Sequence, residues 1–161
     1  MPGHMNITSP WRSSMIKICF IIGQLEKGGT ERQLYELVQN IDRRLFVPIV
    51  VSLSADGFWA NEFIKLNIPL FQLPRKKNVE FRRLIKLYKL VHRLRPHIVH
   101  TLLSSANSYG RIAALLNGVP IILSSERSMP KGDKKTLNRS LEKILAHLSD
   151  GVICNSHRAA Q

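Results

Sequence analysis

The sequence predicts an α/β fold: a doubly wound parallel sheet with helices on both faces. Three observations carry this. Short apolar runs alternate with longer amphipathic stretches along most of the chain. The apolar runs are near-continuous and rich in β-branched residues, as strands covered on both faces require. The chain has 161 residues, 44% of them hydrophobic, which is enough for one well-buried core and too little for two ordinary domains.

The elements follow in order. Residues 1–14, "MPGHMNITSPWRSS", show neither the helical nor the strand period and read as a disordered leader or cloning remnant, so the folded domain is expected over 15–161. Strands are predicted at 16–22 (IKICFII), 47–53 (VPIVVSL), 69–73 (PLFQL), 97–103 (HIVHTLL), 120–125 (PIILSS) and 151–155 (GVICN). Helices are predicted at 31–41, 58–66, 80–94, 108–117 and near 136–148. Strand, helix, strand repeated in this way gives right-handed crossovers and a Rossmann-like sheet. No internal repeat or low-complexity segment interrupts the series.

Composition narrows the function classes. Lys and Arg total 24 against 11 Asp and Glu, a formal net charge of +13, so the domain is drawn to anionic partners. Cys19 and Cys154 both fall inside apolar runs, where a reduced thiol packs as a small hydrophobe, and their spacing offers no metal site. No apolar run approaches the roughly 20 residues that a membrane-spanning helix needs. A cytoplasmic setting is expected.

In a sheet of this kind ligands bind at the carboxyl ends of the strands. The first such end carries "GQLEKGGTER", with Gly23, Gly28 and Gly29 ahead of a helix that Thr30 is expected to cap. Glycines let a backbone approach a ligand closely, and the free N–H groups and dipole of a helix start favour an anion such as a phosphate. A tight strand-to-helix turn without a ligand needs the same residues. The loop is neither Gly-x-Gly-x-x-Gly nor a Walker loop, which counts against a dinucleotide oxidoreductase and a P-loop ATPase.

Three segments in this order resemble the family 4 glycosyltransferases of GT-B architecture: "GGTERQL" at 28–34, "HIVHTLLSSANSYGRIAALLNGVPIILSSERS" at 97–128 and "LSDGVICNS" at 148–156. The resemblance implies the N-terminal, acceptor-side half of a GT-B fold. It also implies retaining transfer of a sugar from a nucleotide-sugar donor, without a bound metal or other cofactor, to a cell-surface glycan or lipid-linked acceptor. Gly28 and Gly29 would then lie in the cleft between two such domains. The second, C-terminal domain, which in the family holds most of the donor site, is missing from these residues, so this piece alone is expected to be inactive. Many relatives have a histidine at the position of Leu102, so no catalytic residue is assigned; His100 is read as a packed strand residue.

Further candidates follow the later strands. Ser104, Ser105 and Asn107 offer hydrogen bonds to sugar hydroxyls or, equally, to the start of the next helix. Glu126 and Arg127 sit at the end of the fifth strand, where a carboxylate can orient an acceptor hydroxyl and a guanidinium can fork onto phosphate; a plain surface ion pair is the alternative. Residues 75–95 hold nine basic side chains against one acid. Arg75, Lys76, Lys77, Arg82, Arg83, Lys86 and Lys89 form the expected patch for an anionic membrane surface, with Leu84, Leu87, Tyr88, Val91 and Leu94 on the opposite, core-facing stripe. The patch lacks interleaved aromatic platforms and any nucleic-acid-binding signature, so nucleic acid is not expected as a partner. A non-catalytic phosphate- or nucleotide-binding module is the first alternative reading for the whole chain, and a basic nucleic-acid-binding domain ranks below it.

Overall fold

The computed structural model of the protein describes residues 15–74, 80–126, 144–145 and 147–154. Its elements are β1 (Ile16–Ile22), α1 (Gly29–Asn40), β2 (Phe46–Ser52), α2 (Phe58–Lys65), β3 (Leu70–Gln72), α3 (Glu80–Leu94), β4 (Ile98–Leu102), α4 (Ser104–Leu116), β5 (Ile121–Glu126) and β6 (Gly151–Cys154). The six strands form one sheet in the order β3-β2-β1-β4-β5-β6, with every neighbouring pair parallel. The doubly wound class expected from the apolar runs is therefore the observed one. The helix expected near 136–148 falls mostly outside the described residues, of which 144, 145 and 147 are helical.

Alternation along β1 divides the core. Ile18, Phe20 and Ile22 face α1 and α2, packing with Leu34, Val38 and Phe63. Cys19 and Ile21 face α3 and α4, packing with Leu87, Val91, Ala113 and Ala114. Both sides of this strand are sealed from Ile18 to Ile22, so those five positions can all be apolar without exposure, while Lys17 at its start faces solvent. Phe20, Ile21 and Ile22 are at most 2% exposed, and burial pushes the Cys19 thiol up to about 12. The side chain of Cys154 lies outside the description.

Two helix boundaries depart from the sequence expectation. Helix α4 begins at Ser104, not at 108, because Ala106 and Gly110 pack inward on the sheet and bring Ser104, Ser105 and Asn107 into the first turn. Gly110 admits that contact: a Cβ there would stand 2.5 Å from Thr101 Cγ2. Helix α1 begins at Gly29 with Gly28 as its N-cap, so Thr30 lies within the first turn and does not cap it. The carboxylate of Glu31, three residues after the cap, folds back over Gly28 and takes the space a capping side chain would need.

In α3 the core-facing stripe comprises Leu87, Leu90 and Val91, with Leu84, Tyr88 and Leu94 half-buried. Arg83, assigned above to the solvent face, turns inward instead: its guanidinium carbon sits 4.7 Å over the Tyr109 ring. Stacking on an aromatic face lets the planar guanidinium shed water at low cost.

Candidate functional site

Strand order reverses direction between β1 and β4, the point where sheets of this class open a crevice at their carboxyl ends. Two strand-to-helix turns meet there. The first runs from Gly23 to Gly28, and the second is Leu103 alone. They are stitched together: Gly23 N–H donates to the Leu102 carbonyl at 3.3 Å. A Cβ on Gly23 would stand 2.6 Å from Ser105 Oγ, so the two turns approach as closely as they do because residue 23 has no side chain. Leu103 takes φ 72° and ψ 151°, a region that L-residues rarely visit. Its side chain lies over Gly23 and joins the apolar cluster of α1 and α2, which holds it there.

The first turn presents backbone. Glu26, Lys27, Gly28 and Gly29 are exposed, and the first-turn N–H groups of α1 point along the helix axis toward this rim. The two glycines have different reasons to be there. A Cβ at Gly28 would collide with the Glu31 carboxylate, whose Oε1 also accepts from Gln24 Nε2 at 3.3 Å. A Cβ at Gly29 would meet nothing within 4 Å. Packing inside the domain explains Gly28; it does not explain Gly29. Thr30 is half-buried beside them.

The second turn is built from buried polar side chains. Asn107 is 2% exposed and donates its amide to the Ser125 carbonyl at 3.2 Å. His100 Nε2 lies 2.8 Å from Ser125 Oγ, with Phe20 5.6 Å from the imidazole ring. The reading of His100 as a packed strand residue agrees with this. Asn107 braces β5 from within, while Ser104 and Ser105 are exposed at the rim. Glu126 closes β5 opposite Cys154 of β6; its side chain, and all of Arg127, lie outside the described residues.

The basic stretch lies elsewhere. Arg75, Lys76 and Lys77 fall outside the description; Arg82, Lys86 and Lys89 are exposed on α3. Beside them stand apolar side chains that the core does not use: Phe81 is 71% exposed and Leu116, on α4, 66%. Among the described residues no helix is long and apolar enough to cross a membrane, and no group of three or more His, Cys, Asp or Glu is placed to hold a metal ion.

One part of the rim escaped the sequence reading. Trp59 N–H donates to the Leu25 carbonyl at 3.0 Å, and Gly57, at φ 121°, leaves room for only a hydrogen atom against that same carbonyl. This fastens the start of α2 to the glycine turn and brings Phe58 beneath the Lys27 ammonium, 4.7 Å from its ring centroid. The available signal was "DGFW" at 56–59: a turn dipeptide followed by two aromatics after the second strand.

A parallel sheet in this order, with its crevice at the β1/β4 junction, is Rossmann-like, and it matches the N-terminal half of GT-B structures. The chain belongs to Glycosyltransferase Family 4, whose model matches residues 27–161. Among solved structures it is similar to HepE of Anabaena in complex with UDP-glucose, at 19% identity and a TM-score of 0.70, over 88% of this chain and 38% of that one. It is similar also to MurG of Acinetobacter baumannii, at 14% identity and 0.64, over 86% and 41%. A third is the UDP-GlcNAc 2-epimerase of Methanocaldococcus jannaschii, at 16% and 0.56, over 89% and 40%. The chain thus spans about two fifths of the length of these proteins. Their low identity speaks for the fold alone, and structures similar to this chain include both an epimerase and the outer core galactosyltransferase WaaB. A comparison with curated proteins finds no match.

Proposed function

We propose that these residues form the acceptor-side domain of a retaining glycosyltransferase that moves a sugar from a nucleotide-sugar donor to a cell-surface glycan or lipid-linked acceptor. The observation that carries the reading is Gly29. It opens α1 at the crevice, is exposed, and has free space where a side chain would lie. A backbone kept bare without an internal reason suits the close approach of a diphosphate or sugar. The family match supports the same class, and the UDP complexes of HepE support a nucleotide-sugar as donor.

The chemistry needs charge stabilisation at the departing phosphate, and one wall of a cleft supplies only part of it. Residues 1–161 alone are therefore inactive in this proposal, and no metal or other cofactor takes part. The chain works at the cytoplasmic face of a membrane. Exposed Phe81 and Leu116 flanked by Arg82, Lys86 and Lys89 support docking to an anionic leaflet, where each nearby cation contributes roughly 1 kcal/mol.

The test uses the natural protein that contains these residues. A panel of nucleotide sugars is assayed for release of nucleoside diphosphate, with Gly29→Val as the control. One donor should react, and the valine variant should fold normally and lose most of the release. Activity with no donor, or full activity in the variant, overturns the assignment.

A further inference from the structure

The rim beside the glycine turn carries a feature that phosphate binding does not use. Phe58, the first residue of α2, is 49% exposed, yet its ring is held in place. Trp59 meets it edge-on, with centroids 5.2 Å apart and planes at 90°. Trp59 is in turn packed on Tyr35 at 5.0 Å, and Tyr35 on Phe63 at 5.8 Å. A stack of four aromatic rings thus runs from the core, where Phe63 is fully buried, to an open ring at the surface. The backbone bond from Trp59 to Leu25 ties this stack to the turn that holds Lys27 and Gly28.

Lys27 completes the arrangement. Its ammonium rests over the Phe58 ring and has no carboxylate partner among the described residues. A cation over an aromatic face at an exposed position is held weakly, so a ligand can displace it from the ring and keep it as a counter-ion.

We propose that Phe58 and Lys27 form an acceptor subsite for a pyranose that bears an anionic group, a uronate carboxylate or a sugar phosphate. The axial C–H bonds of a pyranose carry partial positive charge and meet the negative face of an aromatic ring, as ring edges do in aromatic pairs. The anionic substituent then pairs with the displaced ammonium, a point charge suited to either carboxylate or phosphate. Lys27 directly precedes Gly28, so a sugar bound here lies next to the crevice. The inference deepens the transferase reading and rests on it for the word acceptor.

The test uses the chain itself with Trp11→Phe, which leaves Trp59 as the sole tryptophan of the two and makes its emission a reporter for the adjoining Phe58 ring. Glucuronic acid, glucose 1-phosphate and glucose are titrated separately. At least one of the two acids should change Trp59 emission and bind at least tenfold more tightly than glucose, and which acid does so identifies the anionic group. Lys27→Gln should erase that tenfold advantage and leave glucose binding as it was. Phe58→Ala should abolish the response to all three while circular dichroism stays unchanged. Equal binding of acids and glucose, or an unchanged preference in Lys27→Gln, overturns the subsite, as does silence with all three in a folded protein. Nucleotide-sugar turnover by the natural protein, measured separately, tells the two readings apart. Turnover without sugar-acid binding removes the subsite alone, while sugar-acid binding without turnover removes the transferase.

Discussion

The two turns that meet at the crevice are made differently. After β1 the chain spends six residues on a turn that ends in exposed backbone, and its one buried acid, Glu31, serves the helix cap. After β4 it spends a single strained residue and then closes over a buried set of polar groups, His100, Asn107 and Ser125. At the first turn the backbone is open at Gly29, where a Cβ would meet nothing within 4 Å, while the Glu31 carboxylate covers Gly28. To reach Asn107 a ligand would have to break a bond that holds β5 to α4. The difference teaches that polar residues at the end of a strand are not equal candidates: the exposed turn is the one the proposed ligand would meet, and the closed turn serves as its frame.

The largest effect expected lies beneath both turns. Cys19, on the strand that supports them, has its thiol pushed up to about 12 from 9.0 by burial. Three units mean that native protein at pH 8 should alkylate at Cys19 about a thousandfold more slowly than unfolded protein, measured on the Cys19 peptide by mass spectrometry. Because the folded value is the higher one, this stabilisation is complete below about pH 9 and is lost as pH rises toward 12. Cys19→Ala should remove that share of the alkaline loss.

The closed turn should be the next most sensitive. Gly110→Val forces a branched side chain into Thr101 and should cost about 3 kcal/mol in urea unfolding. Asn107→Leu leaves the Ser125 carbonyl without its donor and should cost about 2 kcal/mol. A loss below about 0.5 kcal/mol in both would dissolve the distinction between frame and open turn.

At the open turn the two glycines should part company. Gly28→Ala displaces the Glu31 carboxylate and should cost about 1 kcal/mol. Gly29→Ala, in open space within a helix, should gain about 0.5 kcal/mol while weakening ligand binding. That combination of higher thermal stability and poorer nucleotide-sugar turnover is the sharpest sign of a residue kept for a ligand.

Much of this was legible in the sequence, and what was not has a physical cause. The strands announce themselves because each carries a run of consecutive apolar residues, and α3 is found at 80–94 as its periodicity predicts. The start of α4 was hidden because Ser104, Ser105 and Asn107 favour turns locally, and only the fit of Ala106 and Gly110 against the sheet overrides that preference. Thr30 looked like a cap because the rule looks for a side-chain oxygen at the cap, whereas here the cap is Gly28 and the carboxylate of Glu31, three residues on, folds back over it. The Lys27–Phe58 contact depends on a backbone bond between Leu25 and Trp59, segments joined only once β1 and β2 are paired. No local pattern encodes such a contact.

The β1–β4 seam has a consequence for how the protein comes to work. Ile18 pairs with Ile98, and Lys17 N–H reaches His97 across 80 residues, the longest separation between any described neighbouring strands. Closing a loop of that length is the slow, entropically costly step of assembling such a sheet. The first three strands and their two helices can collapse on one another early, with the glycine turn already formed. The crevice needs the fourth strand, so it is complete only once this longest-range pairing has formed, and a chain caught before that step holds one of its two walls.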